Sequence, residues 1–440
     1  MKLVVSADAD ETFYVSILFS LMGSSVSLRG IKLLSLEDGK AYCEIGESSA
    51  GLLDDLAEQD EVELFPVFGG LPDGVDSVDV FLPNVGVALG VPVLDAASAG
   101  FDVDAALAAA EIDESIESGP FELNSVAVAA DGSSDTEKDD ASTTVNVSGD
   151  VLFATDSADL SAEADELLGT VVEQLALYPS GGELAVTGHT DDVNTDEHNQ
   201  DLSERRAEAV SVRLGELTNL SGWETVVLGK GESEPRVPND SDENRQLNRR
   251  VEILLTPADP SEAGAAGSGA GSAGPSGDMP EPTGPVGPGS DGVDVQVEGV
   301  NGERVVLRVA MDSVTRVGGY LVGTVHMVAD GELTPKVGML DLPEQFVLMR
   351  MWAVFYSGAP GFTLLNGDDR YLLVDFTDGD EENIPLTTDF VYDFHANDDR
   401  CFPVVWPDAG GDAVTMDIIG RSDDGTSVAA RLTDIPVIEA

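Results

Sequence analysis

Two opposite charges in the middle of the chain have the types and spacing for recognition chemistry. Asp191 closes the run Thr187-Gly188-His189-Thr190-Asp191, and Arg206 follows fifteen residues later within Asn199–Val210. A carboxylate and a planar guanidinium held a few ångströms apart can grip a zwitterion, because guanidinium takes a carboxylate through two parallel hydrogen bonds. The same two side chains could instead close a structural ion pair across a loop, and the residues by themselves leave both readings open. His189 stands two positions before Asp191. No cysteine, second histidine or nucleophilic serine is placed to complete a site with it, so it reads as a packed loop histidine and His198 as a solvated one. No catalytic residue, metal ligand or cofactor is expected, and the chain does not read as an enzyme.

The elements that must position this pair lie between residues 146 and 257. Val151–Phe153 is a short apolar run read as a first strand. Ser161 is placed to cap a helix with Glu163 and Asp165 in its first turn, where negative charge suits the helix dipole. Leu167, Leu168, Val171, Val172 and Leu175 recur at helical spacing along it. Leu184–Thr187 follows as a strand. A second helix is predicted to open near Ser203, with Ala207, Val210, Leu214 and Leu217 inward, and Thr225–Leu228 and Val251–Leu255 are the last strands. The order βαβαββ predicts a compact α/β domain. A helix opening near Ser203 would put Arg206 in its first turn, where free backbone N–H groups favour an anion.

The segments DVLFATDSADLS (150–161), TGHTD (187–191), NQDLSERRAEAV (199–210), GKGESEP (229–235) and NRRVEILL (248–255) stand in one order across this stretch. In that order and spacing, residues 146–257 resemble the C-terminal peptidoglycan-binding domain of the OmpA family. The resemblance implies a non-catalytic site for the diaminopimelate side chain of peptidoglycan stem peptides. It implies that Asp191 receives the ligand's ammonium group and Arg206 the neighbouring carboxylate. Asn199 would brace the loop and hydrogen-bond the ligand, while Thr190 and Asp156 fall at ligand-facing positions. Arg249 and Arg250 could touch the ligand, but the preferred reading gives them a structural role closing the last strand. The family usually has Gly three residues after the motif Asp, where this chain has Asn194, a residue that tolerates positive φ better than most.

The rest of the chain surrounds this unit. Residues 1–100 and 293–440 show short alternating apolar runs broken by Gly, Pro and Asp, the pattern of antiparallel sandwich strands. They also share a motif series: Leu33-Leu34, Tyr42, Phe65-Pro66-Val67 and Asp76-Ser77-Val78 recur as Leu364-Leu365, Tyr371, Phe402-Pro403-Val404 and Asp412-Ala413-Val414. Through the F-P-V and D-x-V pattern they resemble the Ig-like β domains that flank the module in some secreted actinobacterial members of the family. Residues 101–145 read as a connecting segment, partly helical and then an acidic linker, and residues 258–292 as a Gly/Pro-rich flexible linker. The expected architecture is therefore multidomain, a central α/β OmpA-like domain between two all-β sandwich-like domains. The uncharged stretch Thr12–Leu28 is short for a membrane span and reads as a pair of strands. No basic start or small-residue cleavage site marks a secretory signal, and the first segment begins abruptly, as a truncated start would.

Charge bounds the partners. With 83 acidic and 22 basic residues the formal charge is −61, and only six of the basic residues are Lys. That excludes nucleic acid and anionic membrane surfaces, which are bound by clustered Lys and Arg. An acidic, Lys-poor surface suits strong salt, where repulsion is screened within about 3 Å at molar ionic strength. Calcium binding by scattered carboxylates is the competing reading, and no D-x-D-x-D-G loop supports it. Cys43 and Cys401 lie far apart without metal-type spacing, so zinc and iron–sulfur sites are not expected; one disulfide or two buried thiols both remain open. The functional expectation is a wall-associated protein of the cell envelope or exterior that binds peptidoglycan, with other envelope proteins reached through the outer segments. The alternative is an OmpA-like fold used for protein interaction or adhesion in a halophile lacking such a wall.

Overall fold

The computed structural model describes residues 1–5, 19, 30–47, 62–110, 112–113, 117–259, 278–333, 361–377, 383–387, 394–419 and 428–440. Thr12–Leu28 apart from Phe19, the apolar run 347–354 and linker residues 260–277 fall outside these. The described chain is mostly β-strand with few helices.

In the N-terminal segment β1 (Lys32–Ser35) and β2 (Lys40–Glu47) form a hairpin with Leu33 opposite Tyr42. On the other side of β1 lies β3 (Ser77–Leu82), Val80 opposite Leu33, and β4 (Gly86–Pro92) pairs with β3 in turn. Helix α1 (Val103–Ala109) falls in the Ala-rich stretch and is capped by Asp102, whose carboxylate accepts from Ala105 N at 2.9 Å. The acidic stretch 131–144, read as a linker, is instead structured. β5 (Phe121–Ala129) and β6 (Ser134–Lys138) form a hairpin, and β6 pairs with β7 (Thr143–Ser148). The alternation Val126, Val128 on β5 and Val145, Val147 on β7 buries one row of each strand, which a free linker could not do.

The central module then runs through α2 (Gly149–Leu152), α3 (Ala164–Ala176), β8 (Gly182–His189), α4 (Asp196–Leu217), β9 (Trp223–Gly231), α5 (Asp242–Asn248) and β10 (Arg250–Pro257). Its first strand is β7, not Val151–Phe153, where Val151 and Leu152 belong to α2. β10 sits between β7 and β8, antiparallel to both, with Ile253 opposite Val145 and Val186. β9 adds parallel to β8, a pairing that requires a crossover, and α4 supplies it. The strand order is β5-β6-β7-β10-β8-β9. Leu168, Val171 and Leu175 of α3 and Ala207, Val210 and Leu214 of α4 pack on Val145, Val147, Leu184, Val186, Val251 and Ile253. Each such fully buried Val or Leu contributes about 1.5–3 kcal/mol.

The C-terminal segment holds β11 (Tyr320–Ala329), β12 (Phe362–Asn366), β13 (Asp369–Tyr371), β14 (Asp399–Pro407), β15 (Ala413–Ile418) and β16 (Ala430–Glu439), among other short strands. The Leu-Leu, Tyr and D-x-V motifs occupy matching registers, whereas the F-P-V motifs do not: Pro66 and Val67 pair with β2, and Phe402-Pro403-Val404 pairs with β11. Leu364 faces Tyr371 in the β12–β13 hairpin as Leu33 faces Tyr42, β15 flanks β12 as β3 flanks β1, and β16 pairs with β15 as β4 does with β3. Both hairpins dock on β5: Ala41 lies opposite Phe121 and Tyr371 opposite Ala127. Leu34, Ala41 and Phe81 also share one buried cluster with Tyr320, Val322, Phe376 and Val405. Each outer segment keeps a buried cluster of its own, and the two are joined through the mixed cluster and the common strand β5, a connection that the expectation of two separate sandwich-like domains did not include. Within 258–292, residues Val286–Pro288 form a strand parallel to β16 at Arg431–Thr433, so the far end of the expected flexible linker is held in the sheet.

Candidate functional site

The C-terminal end of β8 and the N-terminal half of α4 bring the sequence-predicted residues to one end of the central module. Helix α4 begins earlier than the apolar periodicity predicts. Its N-cap is Thr195, whose hydroxyl accepts from His198 N at 3.3 Å, with Asp196 and Glu197 in the first turn. Arg206 therefore lies about three turns into the helix, where backbone N–H groups are already bonded, and the expected helix-end contribution to anion binding does not apply. Gly188 fixes how closely α4 approaches: a Cβ there would overlap the Ser203 carbonyl, so only glycine lets the helix backbone lie against the strand.

Arg206 is buried, 5 % exposed. Its guanidinium stacks over the Phe153 ring, 5.0 Å from the centroid, and its Nε–H donates to Ser157 O at 2.9 Å. Among the described residues no carboxylate comes within ion-pair distance of it. Burial pushes its pKa down, while the fields of Asp150, Asp156 and Asp191 oppose the shift and that of Arg249 adds to it. The two terminal NH2 groups thus belong to a desolvated cation without a bonded counter-ion, an expensive arrangement unless an anion completes it.

Asp191 is 8 % exposed and already engaged. Oδ1 accepts from Val193 N at 3.1 Å, and Oδ2 accepts from Arg249 Nη1 at 2.6 Å. Arg249 reaches Asp150 with its other groups, and these bonds to Asp150 and Asp191 hold its pKa above the ordinary arginine value. The sequence favours a strand-closing role for Arg249, with ligand contact as the alternative. The structure brings it to the site as the partner of Asp191, a contact between residues 58 positions apart that no local signal marks.

Asn199 braces the loop. Its Nδ2–H donates to Asp191 O at 3.2 Å and Val193 O at 2.9 Å and also meets the Glu232 carboxylate. Thr190 is buried with its hydroxyl unbonded, while its N–H donates to Gly231 O at 2.9 Å. Asp156 sits in the left-handed region at φ 57° and meets His198 Nε2 at 2.6 Å. His198 is therefore a first-turn helix residue with a partner, not a solvated loop residue. Asn194 takes φ 87°, the conformation for which glycine is the usual solution. His189 ends β8 and is 3 % exposed, its Nε2 3.9 Å from Glu252. Burial first, then the charge of Arg250, lowers its pKa to about 4, against the opposing pull of Glu234, so the imidazole is neutral at pH 7. Ser161 does not cap α3: Glu163 occupies the cap position without a side-chain bond, and the Ser161 hydroxyl is buried and unbonded.

Residues 152–249 match the model of the OmpA family, so the chain carries an OmpA-family domain over that stretch. Its relatives include outer membrane porin F of Pseudomonas aeruginosa, 39% identical over 108 residues, covering 24% of this chain and 31% of the relative. Outer membrane protein A of Escherichia coli O157:H7 is 35% identical over 106 residues, 24% of this chain and 30% of the relative. The chain thus spans less than a third of the length of these curated relatives. Among solved structures, the cell wall anchor of the T6SS from Pseudomonas aeruginosa is 34% identical, covering 27% of this chain and 82% of that one, at a TM-score of 0.24. Among the described residues no helix is long and apolar enough to cross a membrane.

Proposed function

We propose that the central module anchors the chain non-covalently to peptidoglycan in the cell envelope, taking the zwitterionic end of a diaminopimelate stem peptide between Asp191 and Arg206, without catalysis. The observation that carries this reading is the buried Arg206 guanidinium, which is stacked on Phe153 and bonded to one carbonyl but to no described carboxylate. A ligand carboxylate on its two NH2 groups would supply the missing counter-charge in bidentate form. The ligand ammonium would share Asp191 with Arg249, and the unbonded Thr190 hydroxyl offers a further contact. Asn199 and Asp156 shape the loop on either side through Val193 and His198. The names of the relatives, outer membrane porin F and outer membrane protein A, support an envelope setting.

The test is retention of the full chain on purified sacculi at several fixed salt concentrations, comparing diaminopimelate-type with lysine-type murein. Arg206→Ala is expected to weaken retention by more than about tenfold, since a hydrogen bond to a charged group contributes about 1.5–3 kcal/mol. Asp191→Ala should act in the same direction. Undiminished retention of both variants would remove the site, and equal retention on the two mureins would remove the diaminopimelate specificity.

A further inference from the structure

The two scarcest donor types in this chain meet on the outer β structure, far in sequence from the OmpA-family module. The chain has four His and two Cys among 440 residues, so a His–Cys contact is not a by-product of its acid-rich composition. His326 on β11 and Cys401 on β14 occupy directly opposed register positions of an antiparallel pair. Side chains opposed in this way share one face of the sheet, and Asp399, two residues from Cys401, falls on that face as well. Asp399 Oδ2 lies 3.0 Å and Oδ1 3.1 Å from His326 Nδ1, and Cys401 Sγ lies 3.7 Å from the same nitrogen. One nitrogen, one sulfur and one carboxylate oxygen thus gather within 4.8 Å of one another.

We propose that His326, Asp399 and Cys401 form a binding site for a zinc-class divalent cation, with a fourth position open to solvent. Donors around a tetrahedral zinc at about 2.0–2.3 Å stand roughly 3.3–3.8 Å apart, so the 3.0 and 3.7 Å separations from His326 Nδ1 need only small side-chain adjustments. Sulfur and imidazole donors select zinc-class ions over calcium or magnesium, which prefer all-oxygen shells. His326 and Asp399 keep 40% and 51% of their side-chain surface exposed, which leaves the ion a route in and a water-accessible fourth position. Neighbouring Arg400 is drawn to Asp398, 3.7 Å away, on the alternate position of the strand. Cys401 is not part of a disulfide, so its sulfur is available to a metal.

The full chain, reduced with a phosphine and held at fixed high salt to screen scattered carboxylates, is titrated with Co(II) alone. The site predicts one equivalent bound with a thiolate-to-cobalt charge-transfer band, displaced by Zn(II). Cys401→Ser should abolish the band and Cys43→Ser should leave it unchanged. His326→Gln should weaken Co(II) binding at least about tenfold, the lower end of what losing even an outer partner of a metal ligand costs. If Cys401→Ser misfolds by circular dichroism, His326→Gln and Asp399→Asn, both at exposed positions, carry the test. Absence of the band at saturating Co(II), its survival in Cys401→Ser, or unchanged affinity in both exposed-site variants overturns the proposal.

Discussion

His189 makes the module's stability depend on pH in a direction and window that can be worked out beforehand. In the folded chain burial holds its pKa at about 4, and in the unfolded chain the imidazole titrates near 6.5. A depressed histidine binds its proton first in the unfolded state. Its contribution is therefore fully present above pH 6.5, is lost as pH falls from 6.5 towards 4, and changes no further below that. At 1.36 kcal/mol per pKa unit the full window corresponds to about 3 kcal/mol, and a drop from pH 7 to pH 4.5 to about 2–3 kcal/mol. The many carboxylates titrate over the same range, so the comparison must be with His189→Gln, which keeps a neutral polar side chain of similar reach. Urea unfolding at fixed salt, read by hydrogen exchange in peptides from β8 and β10, isolates the module from the outer segments. With a urea slope of about 1–3 kcal/mol/M, wild type should lose roughly 1–2 M more of its midpoint than the variant over that pH interval. Parallel losses in the two proteins would refute the burial argument, and with it the packing of the β8 end that leads into Thr190 and Asp191.

Two further outcomes follow from single side chains. Arg236 grips Asp135 through Nη1 at 2.8 Å and Nη2 at 2.9 Å, with Glu137 at 2.6 Å, and Asp135 is 7 % exposed. Arg236→Ala should cost about 3–5 kcal/mol in urea titrations because it strands a buried carboxylate, whereas Arg205→Ala, which breaks an exposed pair with Asp201, should cost less than about 1 kcal/mol. Equal small effects would mean that β6 is not bound to the module as described. Asn194→Gly should be neutral or slightly stabilising and Asn194→Ala should cost about 1–2 kcal/mol by thermal melting, since a Cβ at φ 87° is penalised unless its side chain bonds locally; an Ala variant as stable as wild type would rule out the strain.

What could be read from the sequence divides by contact distance. The OmpA-family module was legible because its motifs are local words and its helices announce themselves by apolar period, as Leu168, Val171 and Leu175 do. The start of α4 was not, because Asp196–Asp201 contains no apolar residue to set the period. Its usable signal was chemical, Thr195 followed by two acids. β7 was missed because Thr143 and Asn146 bury polar side chains against Tyr178 and Asp135, which spoils the alternation that marks a strand. The β5–β6 hairpin looked like a linker for a related reason. Its polar residues are satisfied by partners such as Arg236, about a hundred positions away. The same limit governs both candidate sites. Arg249 meets Asp191 and Cys401 meets His326 only after strands have paired across 58 and 75 residues, so spacing rules that read one loop at a time could find neither. A motif therefore marks where the proposed ligand would be gripped, but the counter-ion that Arg206 lacks among the described residues, and the one that Asp191 already has in Arg249, are properties of register that motif spacing does not contain.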